Sequence, residues 1–245
     1  MTIRFATILL LLAALLCALA IIGFRIGVVD FPDGINVLVN GGFEGTLTPN
    51  CSQSFTNQCN AGDRPPYPGL EGMPPAALTS VPGWTVVAAN PAPDKQNVLW
   101  LDQNNQFVGD IASDRPDGHK FIDLSGFTDL FEAGSSGGMR QTFTTKAGKK
   151  YMLFFDIGVF NDSAQPKFSG PITVVASIDN QPLSPCGPFN PTSPGAQWLT
   201  CKNQFTAATE STTLTIVATA GQSFIGLDKV SVQCIAPLGR PGFCS

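Results

Sequence analysis

The sequence predicts an all-β protein, an antiparallel jelly-roll β-sandwich preceded by an N-terminal hydrophobic segment. Three observations point there. Charged residues make up only 13% of the 245 residues, while Gly (25) and Pro (20) are abundant. That balance favours short strands and frequent turns over long solvated helices. Short runs rich in Val, Ile, Thr and Phe recur between clusters of turn residues, the pattern of strands in a sandwich. No stretch after residue 30 keeps a helical period, and no internal repeat is present. The 43% hydrophobic content supplies a core and excludes a disordered chain. The net charge of −4 gives no electrostatic reason to expect nucleic acid or anionic lipid as a partner.

Residues 1–25 read as a targeting or anchoring segment. Arg4 precedes an apolar run from Phe5 to Phe24, and Arg25 closes it. Ala18-Leu19-Ala20 offers the small-x-small cleavage site of a signal peptide. The run also has the length of a membrane span, about 20 residues. A cleaved signal and an uncleaved anchor both stand, and the membrane enters only through this segment. Either way the rest of the chain is extracytoplasmic, secreted or held at the cell surface. Residues 26–34 form a linker, and residues 35–245 form the sandwich with its disulfide-closed loops.

The elements follow in order. Ile35–Asn40 (INVLVN) is a first strand, and Gly45 to Pro82 is a long irregular excursion. Val81-Pro82-Gly83 turns into a strand over Trp84–Ala89, followed by strands over Asn97–Gln103 and His119–Ser125. Met139–Thr145 and Tyr151–Phe160 are predicted to form a hairpin through Lys146-Ala147-Gly148-Lys149. In the second arm Tyr151, Leu153, Phe155 and Ile157 share one face, while Met152 and Phe154 take the other. A strand apolar on both sides belongs inside a sheet, not at its edge. Ile172–Ile178 is next, then an irregular insert over Asp179–Thr200. Lys202–Ala207, Thr212–Ala218 and Phe224–Gln233 complete the set. About nine or ten strands at this spacing make a sandwich.

Six cysteines lie beyond the leader: Cys51, Cys59, Cys186, Cys201, Cys234 and Cys244. An even set outside the cytosol suggests disulfides. The spacing favours three local bridges, Cys51–Cys59, Cys186–Cys201 and Cys234–Cys244. A zinc site would want paired CxxC or His ligands, and the chain has no CxxC and one histidine.

Several islands stand in one order: Asn40-Gly41-Gly42-Phe43-Glu44, then Pro82-Gly83-Trp84, then the run Asp117 to Gly126. Gln141-Thr142-Phe143 with Ala147 to Tyr151 follows, and Gly226-Leu227-Asp228-Lys229-Val230-Ser231-Val232 closes the series. Across residues 36–234 the pattern resembles the galactose-binding-like jelly-roll domain of bacterial choice-of-anchor C surface proteins. It is also similar to carbohydrate-binding modules of that fold. The resemblance implies a non-catalytic module whose partner is carbohydrate or a cell-envelope polymer. It also implies a structural Ca²⁺ held by Glu44, after the first strand, and Asp228, on the last. Independently of it, Asp228 shares strand parity with Val230 and Val232 and so is expected to face the core. A buried carboxylate requires a cation or several donors. The other reading pairs Asp228 with Lys229, Arg140 or backbone amides. Lys229 beside the site disfavours a metal.

Trp100, beside Asp102 and polar residues, and Trp198, in the loop between Cys186 and Cys201, are candidate platforms for a sugar ring. Asp123 and Arg140 are candidate hydrogen-bonding partners for sugar hydroxyls from a sheet face. Trp84 and Tyr151 read as core. A structural or adhesive role with another surface protein as partner fits the disulfides and low charge as well. Gly134-Ser135-Ser136-Gly137-Gly138 matches the G-x-S-x-G pattern of serine hydrolases. That nucleophile elbow needs a helix after it and a histidine later in the chain. Here a strand is predicted to follow, and the single histidine, His119, comes earlier. The match is read as accidental.

Overall fold

The computed structural model describes residues 36–44, 58–60, 81–88, 98–102, 120–125, 137–161, 171–220 and 225–235. The segments 1–25 and 26–34, together with Cys51, Cys244, Ser136 and His119, lie outside the described residues. The described residues contain strands and no helix. The first strands are β1 (Gln58–Asn60), β2 (Thr85–Ala88), β3 (Leu99–Asp102), β4 (Lys120–Asp123), β5 (Gly137–Thr144) and β6 (Lys150–Asn161). They continue with β7 (Ile172–Ile178), β8 (Gln181–Pro182), β9 (Cys186–Phe189), β10 (Gly195–Thr206), β11 (Ser211–Ala220) and β12 (Gly226–Cys234).

Two antiparallel sheets form a sandwich. The first runs β1-β3-β4-β12-β6-β10, and the second runs β2-β5-β11-β7-β8 with β9 beside β7. The chain changes sheet at most connections, as a jelly roll requires. Period-2 patterning decides which side chains face in. On β7, Ile172, Val174, Ala176 and Ile178 are buried, while Thr173, Val175 and Ser177 are not. On β6, Tyr151, Leu153, Phe155, Ile157 and Val159 join the core cluster, meeting Met139, Phe143, Leu214 and Ile216 of the second sheet. Each such side chain contributes about 1.5–3 kcal/mol on full burial. β6 lies between β12 and β10, the interior position its two apolar faces predict.

The predicted hairpin is a corner between sheets. β5 pairs with β11 and β2, while β6 pairs with β10 and β12. The turn is local: the Lys149 amide donates to the Lys146 carbonyl at 3.1 Å, and Gly148 takes φ +74. A second crossover, from β10 to β11, runs alongside and holds it. The Gly148 amide donates to the Ala207 carbonyl (2.8 Å), the Ala207 amide to the Lys149 carbonyl (3.0 Å) and the Thr145 amide to the Glu210 carbonyl (2.9 Å). The turn chemistry of a hairpin is therefore present, but the partner is another corner.

Ile35–Asn40 is not a strand over its described residues, 36–40. The Val37 amide donates to the Val232 carbonyl of β12 at 3.0 Å, but side chains take over other bonds that a ladder would make. Asn36 Oδ1 accepts the amides of Leu38 and Val232. Gln141, buried on the inner face of β5, accepts from the Val39 amide (2.7 Å) and donates to the Val39 carbonyl (2.8 Å). The excursion 45–82 is not wholly irregular, since it contains β1, which pairs with β3. The insert 179–200 also holds regular structure: β8, β9 and the first half of β10.

Cys186 and Cys201 form the expected disulfide. It joins β9, on the second sheet, to β10, at the edge of the first. Cys234 at the end of β12 is disulfide-bonded as well.

Candidate functional site

The outer face of the first sheet carries an unusual aromatic arrangement. Residues facing inward on β6 fix the others: Ile157 and Phe155 enter the core, so Gly158, Asp156 and Phe154 face outward. Trp198 of β10 lies opposite Gly158, and Gly226 of β12 lies opposite Gly158 from the other side. The indole of Trp198 rests on both glycines. A Cβ on either would approach Trp198 ring carbons to 2.7 Å, closer than real Cβ contacts come. The two glycines thus make a floor without side chains for an indole reaching across β6 to β12. The Phe121 ring, on β4, meets the Trp198 ring in a T-shaped contact at 86°, with 5.9 Å between centroids. Trp198 itself is half-buried.

Along β10 the same face continues through Thr200 and Lys202, opposite Asp156 and Phe154. The Lys202 ammonium sits over the Phe154 ring, 5.7 Å from its centroid. Aromatic faces beside hydroxyl and amine donors suit the C–H faces and hydroxyls of a pyranose. Trp198 lies on a strand, not in a loop, which is why it is held flat.

Trp100 is not part of this surface. It is 0% exposed, lies in the core, and its indole N–H donates to the Phe43 carbonyl at 2.8 Å. Its polar sequence neighbours misrepresent its setting, because alternation along β3 sends it inward. Asp123 is also corrected. It is 1% exposed, and its Oδ1 accepts from the Ser125 amide (2.9 Å), the Ser125 hydroxyl (2.6 Å) and the Ile225 amide (3.2 Å). Those bonds tie the end of β4 to the start of β12. Arg140 is exposed, but it stands on the outer face of the second sheet, away from Trp198. Trp84 and Tyr151 are core, as predicted. Trp84 donates to the Asn40 carbonyl at 2.9 Å, and Tyr151 stacks on Phe205 with centroids 5.4 Å apart.

The parity expected for Asp228 is overturned. The register shifts between Asp228 and Ser231, and Lys229 there takes φ +52. This bulge puts Asp228 opposite Asp156 on the outer face, while Val232 faces Leu153 in the core. Asp228 is nonetheless buried, at 3% exposed, and its Oδ1 accepts the Lys229 amide at 2.7 Å. Glu44 engages Lys120: Oε1 accepts the backbone amide at 2.9 Å, and Oε2 lies 3.7 Å from the ammonium. Among the described residues no three His, Cys, Asp or Glu side chains gather as a metal-binding group. Ca²⁺ takes about six to eight oxygens, so Glu44 and Asp228 supply only part of such a shell.

Gly137 and Gly138, the end of the G-x-S-x-G match, open β5. A strand thus follows where a nucleophile elbow needs a helix. Sequence reasoning missed Phe121, Asp156, Gly158 and Gly226. The glycines did leave a signal, since each interrupts a strongly apolar strand, where glycine marks a close approach.

No family model matches this sequence, and no curated protein does. Solved structures with similar architecture include a sugar-binding protein from Bacteroides thetaiotaomicron, with 9% identity, 82% of this chain and 100% of that chain covered, and a TM-score of 0.44. An adhesin domain of Lys-gingipain from Porphyromonas gingivalis matches at 10% identity over 63% of this chain and 92% of that chain, with a TM-score of 0.44. A family 35 carbohydrate-binding module from Clostridium thermocellum matches at 14% identity over 47% of this chain and 78% of that chain, with a TM-score of 0.34.

Proposed function

We propose that this chain is an exported, non-catalytic carbohydrate-binding module of the galactose-binding-like jelly-roll kind. It takes a saccharide on the outer face of the first sheet, over Trp198. The observation that carries the reading is the half-buried Trp198 indole laid on Gly158 and Gly226. Two adjacent strands give up side chains at facing positions, which weakens them locally. That cost is hard to explain by core packing, because the ring lies outside the core. A flat indole beside Thr200 and Lys202 presents both stacking area and hydrogen-bonding groups to a sugar. Export is supported by the N-terminal apolar segment and by the Cys186–Cys201 disulfide.

The test is affinity electrophoresis of the wild type and Trp198→Ala in gels containing neutral polysaccharides, a β-glucan and a xylan among them. The wild type is expected to be retarded by at least one. Trp198→Ala should bind it at least about tenfold more weakly, a loss of about 1.4 kcal/mol. Equal retardation of both proteins would remove Trp198 from the site. No retardation in any gel would favour the structural reading, with another surface protein as partner.

Calcium on Glu44 and Asp228 is a separate proposal with its own readout. With an ion there, EDTA lowers the Tm and added Ca²⁺ restores it. An unchanged Tm removes the ion and leaves Glu44 to Lys120.

A further inference from the structure

The outer face of the second sheet has a different chemistry from the first. A row of side chains crosses it in register: Thr85 on β2, Arg140 on β5, Thr215 on β11 and Ser177 on β7. In the next row Thr142 and Thr213 face each other, their hydroxyls 2.9 Å apart. Rows in a sheet repeat at about 6.8 Å along the strands, with strands about 4.8 Å apart. Arg140 is therefore a cation with hydroxyls in its own row and the next, and an apolar row, Val87, Gly138, Val217 and Val175, on its other side. Its Nε donates to the Thr215 hydroxyl at 3.1 Å. That bond fixes one edge of the guanidinium, and among the described residues its terminal nitrogens make no hydrogen bond. Among the described residues no carboxylate pairs with it. Asp179 lies at the rim, but its Oδ1 accepts the Thr213 amide at 2.8 Å.

We propose that this face is a second saccharide-binding surface, selective for an acidic sugar whose carboxylate or sulfate is held by Arg140. A guanidinium presents a planar fork that matches both groups. The surrounding hydroxyls donate to and accept from the sugar's own. Whole-molecule attraction does not account for such binding, because the net charge of −4 repels a polyanion. The recognition must be local. The two outer faces point in opposite directions across the sandwich, so a module with both sites holds two chains at once.

This inference does not rest on Trp198, and its test separates the two. Wild type, Arg140→Gln, Arg140→Lys and Trp198→Ala are run in gels containing polygalacturonate, dextran sulfate or unsubstituted dextran. Retardation of the wild type by polygalacturonate identifies a carboxylate, and by dextran sulfate a sulfate; either supports the site. Arg140→Gln should then bind at least about tenfold more weakly. Arg140→Lys, which keeps the charge and loses the fork, should recover only part. Trp198→Ala should bind like the wild type. Arg140 is exposed, so these substitutions leave the core intact. No retardation of the wild type by either acidic polymer, or equal retardation of Arg140→Gln, would overturn the proposal.

Discussion

Trp100→Ala is expected to lower the free energy of unfolding by about 3–5 kcal/mol, a large share of the about 5–15 kcal/mol that stabilises a typical domain. Trp100 is among the largest fully buried side chains. It sits on β3, opposite Ile122 of β4. Truncation removes the apolar area of an indole and leaves a cavity that the two sheets cannot close, since each is held by its own ladder. It also strips the Phe43 carbonyl of its 2.8 Å donor, and a buried acceptor without a partner costs about 1–3 kcal/mol. Trp100→Phe keeps most of the volume and should lose less. The measurement is the midpoint of urea unfolding. A variant with an unchanged midpoint but lost glycan retention would return Trp100 to the binding surface.

Removing the Cys186–Cys201 disulfide is the second large change. The bond closes a loop of sequence separation 15, for which chain entropy predicts about 3 kcal/mol. It also links the sheets at the rim, with β9 on one side and β10 on the other. Asn203 of β10 also crosses there, donating to the Ser184 carbonyl at 3.2 Å. Cys186→Ala/Cys201→Ala should therefore unfold at lower denaturant. Thermal unfolding of the wild type with and without reductant gives an independent comparison. Equal stability of the oxidised wild type and the double variant would mean that the rim is held by other contacts.

The sequence made strand existence legible wherever one face is buried and the other wet. Ile172–Ile178 was bounded to the residue, because strict alternation leaves no other reading. Strand partners were less legible. Lys146-Ala147-Gly148-Lys149 satisfies hairpin geometry, yet its hydrogen bonds reach Ala207, far along the chain. INVLVN has the composition of a strand, but Asn36 and the distant Gln141 intercept the amides of Leu38 and Val39. At β12, one extra residue in the bulge reversed the face of Asp228. Among the tryptophans, flanking polarity favoured Trp100, while strand parity buries it. Trp198 is a candidate from sequence, but its glycine floor is not legible there, because Gly158 and Gly226 meet only when β6 and β12 pair.

The most direct measurement is a tryptophan-fluorescence titration with a polysaccharide that retards the wild type, performed on the wild type and on Trp198→Phe. Trp84 and Trp100 are 7% and 0% exposed, so neither can report contact at the outer face. A sugar stacking on the platform should change the wild-type emission and leave that of Trp198→Phe unchanged. An equal change in both proteins, or saturable binding with no change in the wild type, would contradict a site built on Trp198.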